Sequence, residues 1–147
     1  MLAPFFFGAA TASIKWHENY EEAKEQSVKE SKPLLLFFTG SDWCSWCTKL
    51  EKEVFETKEF AEGSEKDFVF VNLDYPMYKK QDKAIVDQNK QLLQRFGISA
   101  YPSVIILTPK EEKMGVTGYR RGGGADYSQH LKKIVSEYKD YYYDTKK

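Results

Sequence analysis

The stretch of sequence that decides the fold is LLLFFTGSDWCSWC, residues 34–47. Its first five residues form an unbroken apolar run of strand length, which is typical of a strand covered on both faces. Beyond the second cysteine, apolar residues recur at helical spacing among Lys and Glu, which predicts a helix from near Cys44 to about Phe60. Both cysteines are therefore expected on the first turn of a helix that follows a buried strand.

Cys44 and Cys47 are the only two cysteines of the chain, and they are too close together in sequence for a disulfide between them to crosslink distant loops. Disulfide exchange proceeds by attack of a thiolate, and the free N–H groups and positive dipole of a helix N-terminus stabilise that anion. We therefore expect Cys44 to be the attacking thiol and Cys47, one turn further and directed towards the core, to be the resolving thiol. No cofactor is expected beyond the redox-active disulfide of this pair.

Metal binding is the alternative use of such a pair of cysteines. A structural zinc site takes four Cys or His ligands, and only His17 and His130 remain to complete one, so we expect no metal site. A Cu(I)-handling protein is the rival of a different class, with Met77 or Met114 as a soft third ligand to the two thiolates. Neither methionine lies near the cysteines in sequence.

The length and charge of the chain limit its organisation and its partners. A chain of 147 residues is long enough for one domain with a single core and too short for two ordinary ones. Lys plus Arg equals Asp plus Glu at 22 each, so no net charge attracts nucleic acid or an anionic membrane surface. We assign residues 13–140 to the domain, and residues 141–147 to a tail that is the frayed end of the last helix.

The first residues carry an apolar run, Leu2 to Ala9, that leads to the small residues of Ala10-Thr11-Ala12. Signal peptidases cleave after such a small-x-small pattern, although no Lys or Arg precedes the run. We interpret residues 1–12 as a signal-peptide remnant, so that the mature protein begins at Ser13 and works outside the cytoplasm, in a periplasm for example. The alternatives are an apolar arm packed on the domain and an uncleaved membrane anchor.

Helical and strand patterns alternate along the chain. This order predicts an α/β fold in which parallel crossovers build a central mixed sheet with an antiparallel edge. The predicted helices cover residues 16–31, 44–60, a segment from about 78 to 96 that ends before Gly97, and 125–138, and the predicted strands cover residues 34–38, 68–73, 103–108 and 114–119.

Three segments in this order resemble the thioredoxin superfamily: residues 34–39, 42–47 and 96–103 are similar to its strand, its redox motif and its cis-proline loop. The similarity covers Trp16 to Tyr138. It implies a thioredoxin fold with an N-terminal helix extension, and the activity of a thiol–disulfide oxidoreductase. It also implies that Pro102 is cis and lies against the cysteines, where it keeps metal out and offers the Tyr101 backbone to an extended substrate.

Within that superfamily, the long acidic first helix and Leu50-Glu51-Lys52-Glu53-Val54-Phe55 are most similar to small secreted, DsbH-like proteins related to the Dsb reductases. This implies a monomeric extracytoplasmic reductase that acts on disulfide-containing proteins and is re-reduced by a membrane electron donor of the DsbD type. A disulfide oxidase or isomerase uses the same residues and is the nearest rival, because only the reduction potential separates it from a reductase.

The sequence departs from the superfamily pattern in two places, and a tryptophan directly precedes each cysteine. Phe38 stands where a buried acid is usual, six residues before Cys44, so Cys47 is expected to face an apolar wall without a base. Ser45-Trp46 replaces the Gly-Pro of thioredoxin and leaves the redox potential open. Trp43 and Trp46 are expected to form an apolar platform for substrate chains beside Tyr101 and Pro102.

Overall fold

The structure is a computed structural model that describes residues 11–145, and it is built around one mixed sheet. The strands are β1 (Trp16–His17), β2 (Leu34–Thr39), β3 (Val69–Asp74), β4 (Ser103–Leu107) and β5 (Lys113–Thr117). The α-helices are α1 (Tyr20–Glu30), α2 (Ser45–Leu50), α3 (Lys58–Ser64), α4 (Lys83–Phe96) and α5 (Gly123–Thr145), and a π-helical turn (Glu51–Phe55) joins α2 to α3.

The strands lie in the order β1-β3-β2-β4-β5, with β2 at the centre. β2 pairs in parallel with β3 and antiparallel with β4, so that Leu36 lies between Val71 and Ile105. β1 extends the parallel half and β5 the antiparallel half. The predicted mixed sheet with parallel crossovers and an antiparallel edge is confirmed.

Two apolar clusters pack on opposite faces of the sheet, because successive residues of a strand point to opposite sides. The first, called here the cysteine cluster, contains Leu35, Phe37 and both cysteines, together with residues of α3 and α5 such as Phe60 and Leu131. The second, the opposite cluster, contains Leu34, Leu36 and Phe38, with Tyr20 and Ala23 of α1 and Leu92 of α4. Burial of each large apolar side chain stabilises the fold by roughly 1.5–3 kcal/mol.

The predicted first helix is wrong over its first turn, because Trp16 and His17 form β1 instead. Trp16 pairs with Phe70 in the sheet, and its ring also lies 5.2 Å from that of Phe55, so burial of an indole outweighs the helical spacing. The helix begins after Asn19, whose side chain accepts a hydrogen bond from the backbone N–H of Glu22. His17, which the predicted helix 16–31 included, is therefore a strand residue.

The single helix predicted from Cys44 to Phe60 is also wrong, since it consists of α2, the π-helical turn and α3. The wider π turn allows two consecutive residues, Val54 and Phe55, to enter the cysteine cluster. The chain then breaks at Thr57, whose hydroxyl caps α3 by accepting a hydrogen bond from the N–H of Phe60.

The remaining elements lie close to their predicted places. α4 ends at Gly97, which adopts the left-handed conformation expected of a helix-terminating glycine. α5 continues to Thr145, beyond the predicted end near Tyr138. Among residues 11–145, no helix is both long and apolar enough to cross a membrane. The proposed signal-peptide remnant lies almost wholly outside the described residues.

Candidate active site

The two cysteines form a disulfide at the N-terminus of α2, with their Cα atoms 5.3 Å apart. Cys44 is the N-cap residue, and its sulfur accepts a hydrogen bond from the backbone N–H of Cys47 at 3.2 Å. Cys44 retains 8% of its surface in contact with solvent, whereas Cys47 retains none. An N–H donor aimed at a sulfur favours the thiolate that reduction would produce there, so the geometry suits Cys44 for attack and Cys47 for resolution.

The loop before β4 carries the predicted proline and brings Tyr101 to the segment before the cysteines. The Tyr101–Pro102 peptide bond is cis, as predicted. The Tyr101 ring contacts Trp43 edge-on at 5.3 Å and Tyr75 at 5.7 Å, and it packs against both apolar clusters. Tyr101 thereby connects the cis-proline loop to the residue that precedes Cys44.

The segment just before the cysteines is hydrogen-bonded to the end of β3 and to the loop that follows it. Trp43 Nε1 donates a hydrogen bond to the Tyr75 carbonyl at 2.7 Å, and the Ser41 N–H donates to Asp74 at 2.9 Å. The Asp42 carboxylate accepts three backbone N–H groups, from Met77, Tyr78 and Lys79, at 2.8–2.9 Å. Desolvation acts against the charge of Asp42, but these hydrogen bonds hold its pKa below the usual range.

Trp46 lies on the other side of the disulfide and is 52% exposed. Its ring is 5.1 Å from that of Tyr119, and the Lys49 ammonium lies 4.9 Å from the Trp46 ring centroid and 5.3 Å from that of Tyr119. The Tyr119 hydroxyl donates to the Glu53 carboxylate at 2.5 Å. The sequence predicted Trp46 as a candidate contact, but not its association with Lys49 and Tyr119, which is distant in sequence.

Phe38 does not lie beneath Cys47, and that expectation is corrected. Its side chain belongs to the opposite cluster, where its ring stacks on Tyr75 and meets Phe96 edge-on. The wall that the cysteines share is built around the neighbouring residue, Phe37. Strand alternation is the reason, since consecutive residues face opposite sides of a sheet.

Two polar residues near this wall were not predicted from the sequence. Glu51 follows Cys47 by one helical turn and lines a cavity together with Phe37 and Phe55. Burial raises the pKa of Glu51, and the negative charges of Glu56 and Asp74 add to the effect. Thr39, two residues after Phe37 on the same strand face, has a buried hydroxyl without a hydrogen-bond partner in residues 11–145. The signal for Glu51 was its i+4 spacing from Cys47.

The residues considered as metal ligands have different surroundings in the structure. Within residues 11–145, no three His, Cys, Asp or Glu side chains come together in a way that could hold a metal ion. Met114 packs against the cysteine cluster, whereas Met77 is 67% exposed on its loop. His130 lies on α5, where its ring nitrogens contact Thr117 Oγ1 and Arg120 Nη1, both at 2.8 Å. His17 lies in the edge strand β1.

With this geometry established, comparison with known proteins gives the family. A family model described as thioredoxin-like matches residues 15–109, which contain the cysteine pair and the cis-proline loop. The chain belongs to the thioredoxin-like family. The resemblance inferred from the sequence and the predicted thioredoxin fold are thereby confirmed.

Several of the proteins to which the chain is similar are Dsb proteins. The disulfide bond reductase DsbH of Chlamydia pneumoniae is 32% identical over 126 residues, which are 86% of this chain and 75% of DsbH. The thioredoxin-related protein DsbJ of the same organism is 38% identical over 102 residues, which are 69% of this chain and 29% of DsbJ. The solved structure of a DsbH oxidoreductase superimposes with a TM-score of 0.83 at 28% identity, covering 92% of this chain and 94% of that one.

Family and site together define the class of reaction. The thioredoxin-like chain carries a Cys-x-x-Cys disulfide at a helix N-terminus and a cis-proline in the loop whose Tyr101 contacts Trp43, and it is similar to the disulfide bond reductase DsbH in sequence and structure. The protein is a thiol–disulfide oxidoreductase.

Proposed function

We propose that the protein is an extracytoplasmic disulfide reductase in which Cys44 attacks and Cys47 resolves. The observation that carries the proposal is the difference between the cysteines: Cys44 caps the helix and reaches solvent, whereas Cys47 is fully buried behind it. A substrate disulfide can approach only the first sulfur. The name of the relative DsbH, disulfide bond reductase, supports the direction of electron flow.

The reaction moves two electrons from the protein to its substrate. The Cys44 thiolate attacks one substrate sulfur, the substrate disulfide breaks, and the other sulfur leaves as a thiolate that takes up a proton. Cys47, after losing its proton, attacks Cys44 Sγ and releases the second substrate thiol. The protein is then left with the Cys44–Cys47 disulfide, and we propose that a membrane electron donor of the DsbD type reduces it again.

We propose four residues as the contacts of the substrate chain. Trp43 and Trp46 flank the disulfide with exposed aromatic surface, and large apolar groups left in water commonly mark binding sites. Tyr101 and Pro102 lie beside Trp43, where the backbone of the cis-proline loop is placed to pair with an extended peptide.

The compartment and the oligomeric state form part of the same proposal. We infer export with cleavage after Ala12, because the small-x-small pattern follows an apolar run and because the chain is similar to the Dsb proteins DsbH and DsbJ. We also propose that the exported protein is a monomer, made of the domain 13–140 and the tail 141–147.

Equilibration of the purified protein with defined ratios of reduced and oxidised glutathione tests the direction of the reaction. We expect a reduction potential near the roughly −270 mV of thioredoxin, because a single helix N-terminus stabilises one thiolate and no His lies between the cysteines. A potential near the about −120 mV of DsbA would instead show an oxidase. The Cys44→Ser/Cys47→Ser double variant serves as the inactive control.

A further inference from the structure

A lysine is held against the aromatic surface beside the disulfide. Lys49 Nζ lies 4.9 Å from the ring centroid of Trp46, the residue just before Cys47, and 5.3 Å from that of Tyr119. Trp46, Lys49 and Tyr119 are here called the cationic flank. Two ring faces restrain the long side chain, so its charge stays beside Trp46 and Tyr119 instead of moving freely through solvent.

The ammonium group of Lys49 has no carboxylate in direct contact. Within residues 11–145, Lys49 forms no ion pair. The nearby Glu53 carboxylate, which accepts a hydrogen bond from the Tyr119 hydroxyl at 2.5 Å, contributes one negative charge. Arg121 adds a second positive charge that acts on the Tyr119 hydroxyl. Two cations, Lys49 and Arg121, therefore outnumber the one carboxylate of Glu53 here, and Lys49 lies on two aromatic rings without an ion pair among the described residues.

The side of the disulfide on which Trp43 lies is apolar. There Trp43, Met77 and Tyr78 expose apolar surface, at 38%, 67% and 81% of their areas. The charged groups of that side are paired: Asp42 accepts three backbone N–H groups, and Asp74 accepts the Ser41 N–H and lies 3.9 Å from the Lys79 ammonium. A polypeptide that crosses the site thus meets an apolar surface on one side of its cysteine and a cation on the other.

We propose that the cationic flank selects substrates, favouring disulfides whose reacting cysteine has an acidic residue within two positions. The carboxylate of such a residue would contact Lys49 Nζ while the substrate sulfur contacts Cys44. The inference rests on the proposed function and adds a substrate class to it. An exposed charge pair of this kind changes a rate by only a few-fold, and salt weakens the effect.

The test compares two peptide disulfides that differ at one position, Glu in one and Gln in the other, two residues from the cysteine. Wild-type protein in its reduced form should attack the Glu peptide about threefold faster at low salt, and the difference should shrink in about 0.5 M NaCl. Lys49→Met should abolish the preference, whereas Lys49→Arg should keep it. Lys52→Met makes the same change of charge at an exposed lysine one turn away and should leave the preference intact.

The outcomes separate the two proposals. Equal rates for the two peptides with the wild-type protein, or a preference that survives in Lys49→Met, would overturn the cationic flank while leaving the reductase in place. Failure of the wild-type protein to attack either peptide would overturn the proposed function and this inference with it.

Discussion

The indole ring of Trp43 covers the α-carbon of Gly40, so closely that a methyl group at position 40 would overlap the ring. Gly40 directly follows β2, and its carbonyl accepts a hydrogen bond from the backbone N–H of Cys44 at 2.9 Å. The same indole donates its N–H to the Tyr75 carbonyl. Gly40 therefore provides the space in which Trp43 joins the loop before the cysteines to the loop after β3.

We expect Gly40→Ala to destabilise the protein by about 1–3 kcal/mol, because the added methyl group must displace the indole from a packed position. Denaturant unfolding measures the loss, and near-UV circular dichroism reports the displaced ring. In the double variant with Trp43→Ala the cost should largely disappear. Strictly additive free energies of unfolding would show that Gly40 and Trp43 are not coupled.

The exchange of cysteines for serine distinguishes their roles. Cys44→Ser should lower disulfide reduction by at least about a hundred-fold, because a serine hydroxyl does not ionise near neutral pH. Cys47→Ser should still attack and should accumulate as a mixed disulfide with its substrate, since no second thiol resolves it. Mass spectrometry under non-reducing conditions measures the adduct. Equal trapping by both variants would contradict the assignment.

Glu51→Gln should stabilise the fold at neutral pH. Burial raises the pKa of Glu51 in the folded protein, so the folded state binds the proton more tightly than the unfolded state does. The wild-type protein therefore loses stability as the pH rises from the unfolded value, about 4.3, through the folded pKa. The gain in the variant should vanish near pH 4 and reach its full size above the folded pKa.

The unfolding free energies of wild-type, Glu51→Gln and Glu25→Gln proteins between pH 4 and 8 test this sign, where Glu25 is an exposed residue of α1. The Glu25→Gln control should show no comparable gain. A Glu51→Gln variant that is less stable than wild type at pH 7 would show that the ionised carboxylate is stabilising.

Release of substrate from Cys44 should depend on pH. Cys47 is completely buried in the cysteine cluster, and a thiol removed from water loses its proton less readily. The rate at which a preformed Cys44 mixed disulfide releases a reporter thiol should therefore climb steadily from pH 6 to 9. A rate that is flat below pH 7 would reveal a nearby base, and repeating the measurement with Glu51→Gln would show whether Glu51 is that base.

The sequence predicted the central strand and the position of the cysteines better than it predicted the edge strand β1 and the direction of Phe38. The apolar run of β2 and the cysteines at a helix start were correctly placed, because a buried strand and a helix N-terminus have strong local patterns. Trp16 was misplaced because its pairing with β3, more than fifty residues away, decides its conformation. Phe38 was misread because its alignment with a family position does not reveal which face of the sheet it occupies.

The side-chain contacts around the candidate site could not be predicted from the sequence, because they join residues that are distant along the chain. Tyr119 joins Trp46 and Lys49 only after β5 has folded against β4, and Asp42 finds its three N–H donors on a loop that follows a different strand. Such contacts leave no periodic signal in the sequence. Glu51 is an exception, since its spacing from Cys47 is local and was visible from the start.

The π-helical turn has a consequence for protein engineering. Val54 and Phe55 both reach the interior because the helix widens directly after α2, and Phe55 touches Trp16 and Phe37. A graft that moved only the six residues of α2 would leave both of these anchors behind, and with them the contact of Phe55 with Phe37 on the sheet. Transplanting this dithiol into another scaffold therefore requires the whole stretch from Gly40 to Phe55, together with a receiving surface wide enough for two adjacent hydrophobic side chains.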